Sequence, residues 1–268
     1  MSRDLNMTSF HHMTDDEYFD LPHYNRSVIW DAYKRTPAHS KIGITSTAAM
    51  DFGTAVHRMI LQPEVFQKSY GVLDEDWVRE SKKPKATKKW KEAQAKLEKD
   101  GVTLITQKEY DQYSACLTSA YDHPFASNLL SDSSADREVV TTWTDDFTEL
   151  DLKCKYDLIS TVGGYVADVK TTKDASPEGF ARSAANFGYP FQAAFYLQTC
   201  PDYDYYIIAI ETSPPYPTAV YTFPKEVMSH ARVQLSEALD RFSSCVSSDI
   251  WHGYSDAAEE LEMPGWWS

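Results

Sequence analysis

Apolar and polar positions along this chain follow two different periods, and the change between them divides the sequence. In the first half the spacing is helical. The stretch TAAMDFGTAVHRMILQ (47–62) places Val56, Met59 and Ile60 at i, i+3 and i+4 on one face, and Pro63 predicts its end. Residues 21–62 read as mostly helical and 64–84 as irregular. Residues 85–99 and 107–122 read as two polar helices, the second stopping before Pro124. From residue 137 the period shortens to that of strands. REVVTTWTD (137–145) has strand composition. ELDLKCKYDLIS (149–160) alternates, with Leu152, Cys154, Tyr156 and Leu158 on one face and Lys153, Lys155, Asp157 and Ile159 on the other. GGYVADVKTT (163–172) is the next strand. Ser176 before Pro177 predicts a capped helix that breaks at Gly188-Tyr189-Pro190 and restarts. DYDYYIIAIET (202–212) reads as a buried strand and TAVYTF (218–223) as a short one, and Pro224 opens a long helix over about 225–250.

Helices, three strands, a helix, two strands and a helix predict an α/β fold: a central mixed sheet with helices on both faces and the N-terminal helices added to the same core. The expected organisation is an acidic N-terminal segment (1–20), a single domain (21–250) with its sheet core at about 137–223, and an acidic, aromatic tail (251–268). No internal repeat is visible.

Composition adds constraints. With 268 residues, 42% hydrophobic and 25% charged, the chain is ordinary for a soluble globular protein. Mean hydropathy is -0.49, and no apolar run of about 18 residues predicts a membrane span. The polar, acidic start lacks the basic and apolar regions of a signal peptide, so the expected compartment is the cytoplasm. The four cysteines, Cys116, Cys154, Cys200 and Cys245, are widely spread and form no CxxC. They read as ordinary buried thiols, and no iron–sulfur cluster is expected. The net charge of -14 argues against a generic nucleic-acid binder. One segment runs the other way: residues 79–91 carry Arg79, Lys82, Lys83, Lys85, Lys88, Lys89 and Lys91 against Glu80 alone. Such a stripe on an acidic body fits phosphate contact at one surface. It fits a solvated helix face or loop equally well.

The stretch 151–170 carries the candidate chemistry. Asp168 and Lys170 are two apart on one strand and leave the same face. A tight hairpin with Val162-Gly163 at its centre pairs Thr161 with Gly164 and sets Asp157 opposite Asp168, Cβ atoms about 5 Å apart. Two carboxylates so placed converge on one hard cation. A cation acidifies a water and polarises a phosphoryl oxygen, and an adjacent lysine orients the water or stabilises developing charge. The bare DxK is a weak signal, and Asp157 with Asp168-x-Lys170 a moderate one. A solvated sheet edge with one Asp–Lys salt bridge is the competing account.

GTAVHRMILQPEVF (53–66), CKYDLI (154–159), ADVKTT (167–172) and FQAAFYLQ (191–198), in this order and after WDAYKRTPAH (30–39), resemble the RecE (exonuclease VIII)-like branch of the PD-(D/E)xK nucleases. That branch is related to the RecB nuclease domain and lambda exonuclease. The resemblance runs from about residue 20 to the C-terminal tryptophans. It implies a restriction-endonuclease-like core. It further implies that Asp157, Asp168 and His57 bind metal, that Lys170 is the motif lysine, and that Gln192 and Tyr196 form the QxxxY near the site. Glu138 corresponds to an acid that reaches the metal through water. Asp168 stands where Glu is commoner, and Tyr156 replaces the proline of the name.

Taken singly, each position has a plainer account. A histidine on an apolar helix is usually a packing residue. Gly53, one turn before His57, leaves a gap that suits a metal or a neighbouring strand. Gln192 and Tyr196 share a helix face as packing residues do. Trp90 within the basic run is a base-stacking ring or a structural anchor.

The function the resemblance implies is a Mg²⁺-dependent exonuclease, with Mn²⁺ as substitute, that degrades linear double-stranded DNA 5′→3′. The 3′ tails would serve a RecT-like annealing protein, and the enzyme would form a homo-oligomeric ring in the cytoplasm of a bacterial or phage-infected cell. Arg79, Lys82, Lys83, Lys85, Lys88, Lys89 and Trp90 would contact the DNA. The alternatives are a nuclease of the same fold acting on single strands in repair, a non-catalytic DNA-binding member, and a small-molecule phosphohydrolase. The long basic segment disfavours the last. The intact acidic set disfavours the non-catalytic member, because buried like charges without a cation are costly.

Overall fold

The computed structural model describes residues 10–267 other than Ile44. Residues 1–9 of the acidic N-terminal segment and Ser268 of the tail lie outside the described residues. The chain runs β1 (His11–His12), α1 (Asp15–Asp20), β2 (Tyr24–Asn25), α2 (Arg26–Lys34), a 3-10 turn (Pro37–Lys41), α3 (Ala48–Leu61), α4 (Pro63–Ser69), β3 (Tyr70–Leu73) and α5 (Asp76–Glu80). It continues through α6 (Lys88–Leu97), β4 (Thr103–Thr106), α7 (Gln107–Asp122), α8 (Pro124–Leu130), β5 (Asp136–Thr144), β6 (Asp151–Ser160) and β7 (Tyr165–Thr172). It closes with α9 (Pro177–Phe187), α10 (Tyr189–Tyr196), β8 (Asp204–Glu211), β9 (Thr218–Tyr221) and α11 (Lys225–Ser248).

The expected class holds. A 7-stranded sheet has the order β1-β5-β6-β7-β8-β9, with β2 on β6. It is mixed: β5–β6, β6–β7 and β8–β9 are antiparallel, whereas β7–β8 and β2–β6 are parallel. Two cores flank it. One packs Ile29, Phe191, Phe195, Leu239 and Phe242 onto Leu152, Tyr156, Ile207 and Ala209. The other packs Val56, Ile60, Tyr113, Cys116 and Leu130 onto Leu158, Ala167, Ile208 and Ile210. Strand β8 shows why it is apolar throughout: its successive side chains enter opposite cores. All four cysteines are free and buried. Among the described residues, no helix is long and apolar enough to cross a membrane.

Two expectations need correction. The segment read as irregular holds α4, β3 and α5, and β3 pairs in parallel with β4 as a separate two-stranded sheet. A short parallel strand containing Gly71 has no alternation to betray it. The second concerns β6. Leu152, Cys154 and Tyr156 enter one core as expected, but Leu158 enters the other and Ile159 joins the first. The alternation therefore breaks at Asp157. Across from it on β5 sits Glu138, between the pairs Arg137–Leu158 and Val139–Tyr156, with a left-handed φ of 53°. A non-glycine residue in that conformation kinks the strand and re-aims its side chain, as bulges beside active sites do.

Candidate functional site

Strand β6 shares one edge between two partners. Leu158–Ser160 pair with β7, while Leu152 and Lys153 pair with β2. Between them β7 diverges from β6 and opens a fork. The β6–β7 turn spans residues 161–164, one residue longer at each side than a two-residue hairpin. Ser160 O accepts from Gly164 N at 2.8 Å, and Gly164 takes φ 65°. The register is the expected one, with Ser160 opposite Tyr165 and Leu158 opposite Ala167. Pairing stops there, one step short of Asp157 and Asp168. Asp157 instead turns its Oδ2 to the Val169 N–H, at 2.7 Å.

Helix α3 delivers His57 to this fork. Thr47 caps the helix by accepting from Met50 N. A Cβ on Gly53 would lie 3.0 Å from Thr171 Oγ1, so the gap above the histidine serves the approach of β7. His57 Nε2 lies 2.9 Å from Asp157 Oδ2 and its Nδ1 lies 3.4 Å from Glu138 Oε1. One donor atom each from His57, Glu138 and Asp157 fall within 4.8 Å of one another. Asp168 is outside this triad. Its Oδ1 accepts from Gln192 Nε2 at 2.6 Å, and Lys170 Nζ lies 2.6 Å from its Oδ2. Gln192 Nε2 also reaches Tyr205 OH at 3.2 Å. Tyr196, one turn on, lines the same crevice as Asp157, Asp168 and Lys170, and its carbonyl accepts from Tyr156 OH at 2.8 Å.

Glu138 and Asp168 are buried and Asp157 is partly so, which favours their neutral forms; local charges decide the outcome. Burial and repulsion from Asp157 hold the Glu138 carboxyl above its ordinary value, against the pull of His57 and Lys155. Burial and Asp157 likewise raise Asp168, against Lys170. For Asp157 the burial effect is outweighed by His57, Lys170 and the Val169 N–H, leaving its carboxyl below its ordinary value. Burial works to lower His57 and Lys170, but the facing carboxylates raise both. Glu138 Oε1 is buried with no hydrogen-bond donor, and so is Asp168 Oδ2 within hydrogen-bond geometry despite its ion pair.

Four further residues, Lys155, Asp15, Lys153 and Arg26, shape the site without having been expected there. Lys155 Nζ bridges Glu138 Oε2 at 2.9 Å and Asp15 Oδ1 at 2.5 Å, and Asp15 also binds Arg58 at 2.9 Å. Lys153 is buried and donates to Tyr18 O at 2.6 Å and Leu21 O at 2.8 Å, tying the end of α1 to β6. Arg26 opens α2 at the cavity wall. The alternation put Lys155 on Asp157's face, a usable signal. Asp15 and Arg26 come from distant segments and had none.

The basic run lies elsewhere. It borders a separate open cavity of about 790 Å³ lined by Arg79, Lys82, Lys83, Lys85 and Lys108 among others. The site cavity, about 880 Å³, is lined by His57, Glu138, Lys155, Lys170 and Gln192. Arg79 pairs with Asp74 and Asp76, Lys85 with Glu109, and Lys88 with Glu92. Lys89 sits over the Trp77 ring at 5.7 Å. Trp90 corrects an expectation: it is 4% exposed and packed with Val78 and Leu104, so it anchors this lobe and presents no face to a base.

The family description "PDDEXK-like domain of unknown function" matches residues 32–264. No curated protein matches the chain. A solved structure from Eubacterium rectale, named "Putative exonuclease", is 12% identical over 95% of this chain and 96% of its own, with a TM-score of 0.62. At that identity the likeness is one of fold. A phage related exonuclease from Haemophilus somnus is 14% identical over 74% of this chain and 95% of its own, with a TM-score of 0.33.

Proposed function

This chain belongs to the PDDEXK-like domain family, and from that premise we propose that it is a divalent-metal-dependent exodeoxyribonuclease acting on linear double-stranded DNA. The observation that carries the reading is the convergence of His57, Glu138 and Asp157 within mutual ligand distance beside Lys170. The donor set fits a cation. An imidazole and two carboxylates come from three elements, Glu138 Oε1 lacks a donor, and the buried carboxylates repel one another. Asp168 adds a third carboxylate at the edge of the site. Carboxylates suit Mg²⁺ and Mn²⁺, and the imidazole favours the softer Mn²⁺. When bound, the ion supplies Lewis acidity toward a phosphoryl oxygen and an activated water.

The remaining roles belong to the chain. Lys170 keeps its proton at neutral pH because Asp168 and Asp157 raise it. That supports stabilisation of developing phosphoryl charge over proton abstraction. Gln192 fixes Asp168 by donating to Oδ1, and Tyr196 borders the phosphate-facing crevice. Lys155 holds Glu138 in place. The basic lobe contacts the DNA backbone away from the cut through Lys82 and Lys83, with Arg79, Lys85, Lys88 and Lys89 partly committed to internal partners. The family resemblance extends the reading to 5′→3′ polarity, 3′ tails for a RecT-like annealing protein, a ring-shaped homo-oligomer and a cytoplasmic location. It also favours one domain bearing the site, expected over 21–250 and joined by β1 and α1 at its start.

The deciding experiment is digestion of a linear duplex labelled at its 5′ end, with and without Mg²⁺ or Mn²⁺, beside the Asp168→Ala/Lys170→Ala protein. Metal-dependent release of label by the wild type alone supports the assignment, and a 3′ label on the same duplex reads polarity. Intact linear duplex under all conditions sinks the exonuclease reading. Near-wild-type cleavage by Asp157→Ala or Glu138→Ala sinks the proposed ligand set.

A further inference from the structure

The site cavity continues past Lys170 and Gln192 to an aromatic wall that the chemistry above leaves unused. Its outer member is Phe187, the last residue of α9, 59% exposed. Phe187 ends a stack of rings. Tyr221 and Phe180 lie 5.2 Å apart at 13°, Phe180 and Tyr189 5.8 Å apart at 33°, and Tyr189 and Phe187 5.9 Å apart at 24°. Phe180 is buried, and Tyr189 and Tyr221 are half-buried. The chemistry reaches this stack directly, since Lys170 Nζ lies 5.4 Å from the centre of the Tyr189 ring.

A solitary exposed apolar ring is ordinary. Phe147 is more exposed, at 92%, in the turn at the far end of β5 from Glu138, and asks for no ligand. Phe187 differs in being held. Gly188 after it takes a left-handed φ of 66°, and a Cβ there would lie 2.5 Å from Trp30. The Arg26 guanidinium donates to the carbonyls of Phe187 and Gly188, the latter at 2.6 Å, and lies 5.3 Å from the Trp30 ring centre. A clamped aromatic at the mouth of a cavity whose floor carries Lys170 suits a planar π-surface tethered to a phosphate.

We propose that Phe187 is a stacking platform for one unpaired nucleobase of the bound strand, adjacent to the phosphate that Lys170 faces. The inference rests on the nuclease reading and deepens it: the substrate class becomes a strand whose terminal nucleotides have left the duplex. Every base has a π-face, so the platform tolerates any sequence. It disfavours a fully stacked duplex running through the site.

The test compares wild type, Phe187→Ala, Phe187→Leu and Phe187→Trp on labelled DNA with short unpaired ends, each also made with an abasic nucleotide at successive terminal positions. The ring is exposed, so all four proteins fold, and thermal melts check this. Base–aromatic stacking of about 1–3 kcal/mol predicts a roughly tenfold rise in KM for Phe187→Ala, with kcat much less changed. Phe187→Leu shares the loss because it lacks a π-face, and Phe187→Trp restores binding. At one position, the abasic substrate erases the difference between wild type and Phe187→Ala. Unchanged KM in Phe187→Ala, wild-type behaviour of Phe187→Leu, or an undiminished Phe187→Ala effect at every abasic position overturns the platform while leaving the nuclease reading intact. Failure of wild type to cleave any DNA overturns both.

Discussion

Glu138 and Asp157 face each other across β5 and β6, and both leave ideal strand behaviour at that rung. What they gain is a shared position beside His57. In the absence of metal, the imidazolium of His57 serves as their counter-ion. Its folded value is raised, so the stability it contributes is complete below about pH 6.5, the unfolded value, and is lost as pH rises through the folded value. Urea midpoints of metal-free protein should therefore fall across that window, and His57→Asn should flatten the trend. Metal affinity runs the opposite way, because only the neutral imidazole ligates. Calorimetric titration with Mn²⁺ should show tighter binding as pH rises through the same interval, and a pH-independent affinity would remove His57 from the ligand set. Lys155→Met should destabilise the protein by about 2 kcal/mol, since Glu138 and Asp15 are both deprived of a charge-assisted partner. The Lys155→Arg protein should recover part of that stability in the same denaturation assay.

At the level of elements, the long periodic segments behaved as their patterns required. Helix α7 spans Gln107–Asp122, with Thr106 and Glu109 forming a reciprocal cap. The break between α9 and α10 falls at Gly188. That glycine has a physical reason beyond the turn, because its missing Cβ is the space Trp30 occupies. Gly188→Ala should cost about 1–3 kcal/mol through combined strain and overlap. A urea midpoint within error of wild type would mean that α2 and the α9–α10 turn move apart cheaply. Strands β2 and β3 were not legible. Two- and four-residue parallel strands carry no alternation, and only their partners β6 and β4 make them strands.

For the whole molecule, a net charge of -14 and the proposed DNA substrate are reconciled by separation. The acidic groups of the proposed cation site lie in the sheet fork, and the lysines lie on the lobe built around Trp90. Neutralising Lys82 and Lys83 should weaken DNA binding and flatten its dependence on salt, by about 0.9 in the log–log slope for each phosphate left without its lysine. Lys85, already paired with Glu109 at 2.7 Å, should contribute less. An unchanged slope would make the run a solvated surface. Light scattering after gel filtration would test the ring: a monomer at all concentrations would remove it from the reading.

The sequence by itself determined the α/β class, the extents of the long helices and of β5 to β8, the family to which the motifs belong, and the β6–β7 register, whose pairing ends at Leu158 and Ala167, one step short of Asp157 and Asp168. These follow from local periodicity, capping and short-range spacing, which a chain carries without folding. Only the tertiary structure decided which acids meet beside His57. The break in alternation at Asp157 depends on the left-handed turn at Glu138, and the fork exists because β2, far away in sequence, takes part of an edge that β7 leaves. Asp168 accepts from Gln192 and pairs with Lys170 beside the group, while Glu138, expected to reach a metal only through water, stands with His57 and Asp157. Trp90 read as either a stacking ring or an anchor and is a buried anchor, whereas Phe187, silent in the sequence, is an exposed ring at the cavity. Exposure and convergence arise from packing between distant segments, and no local pattern encodes them.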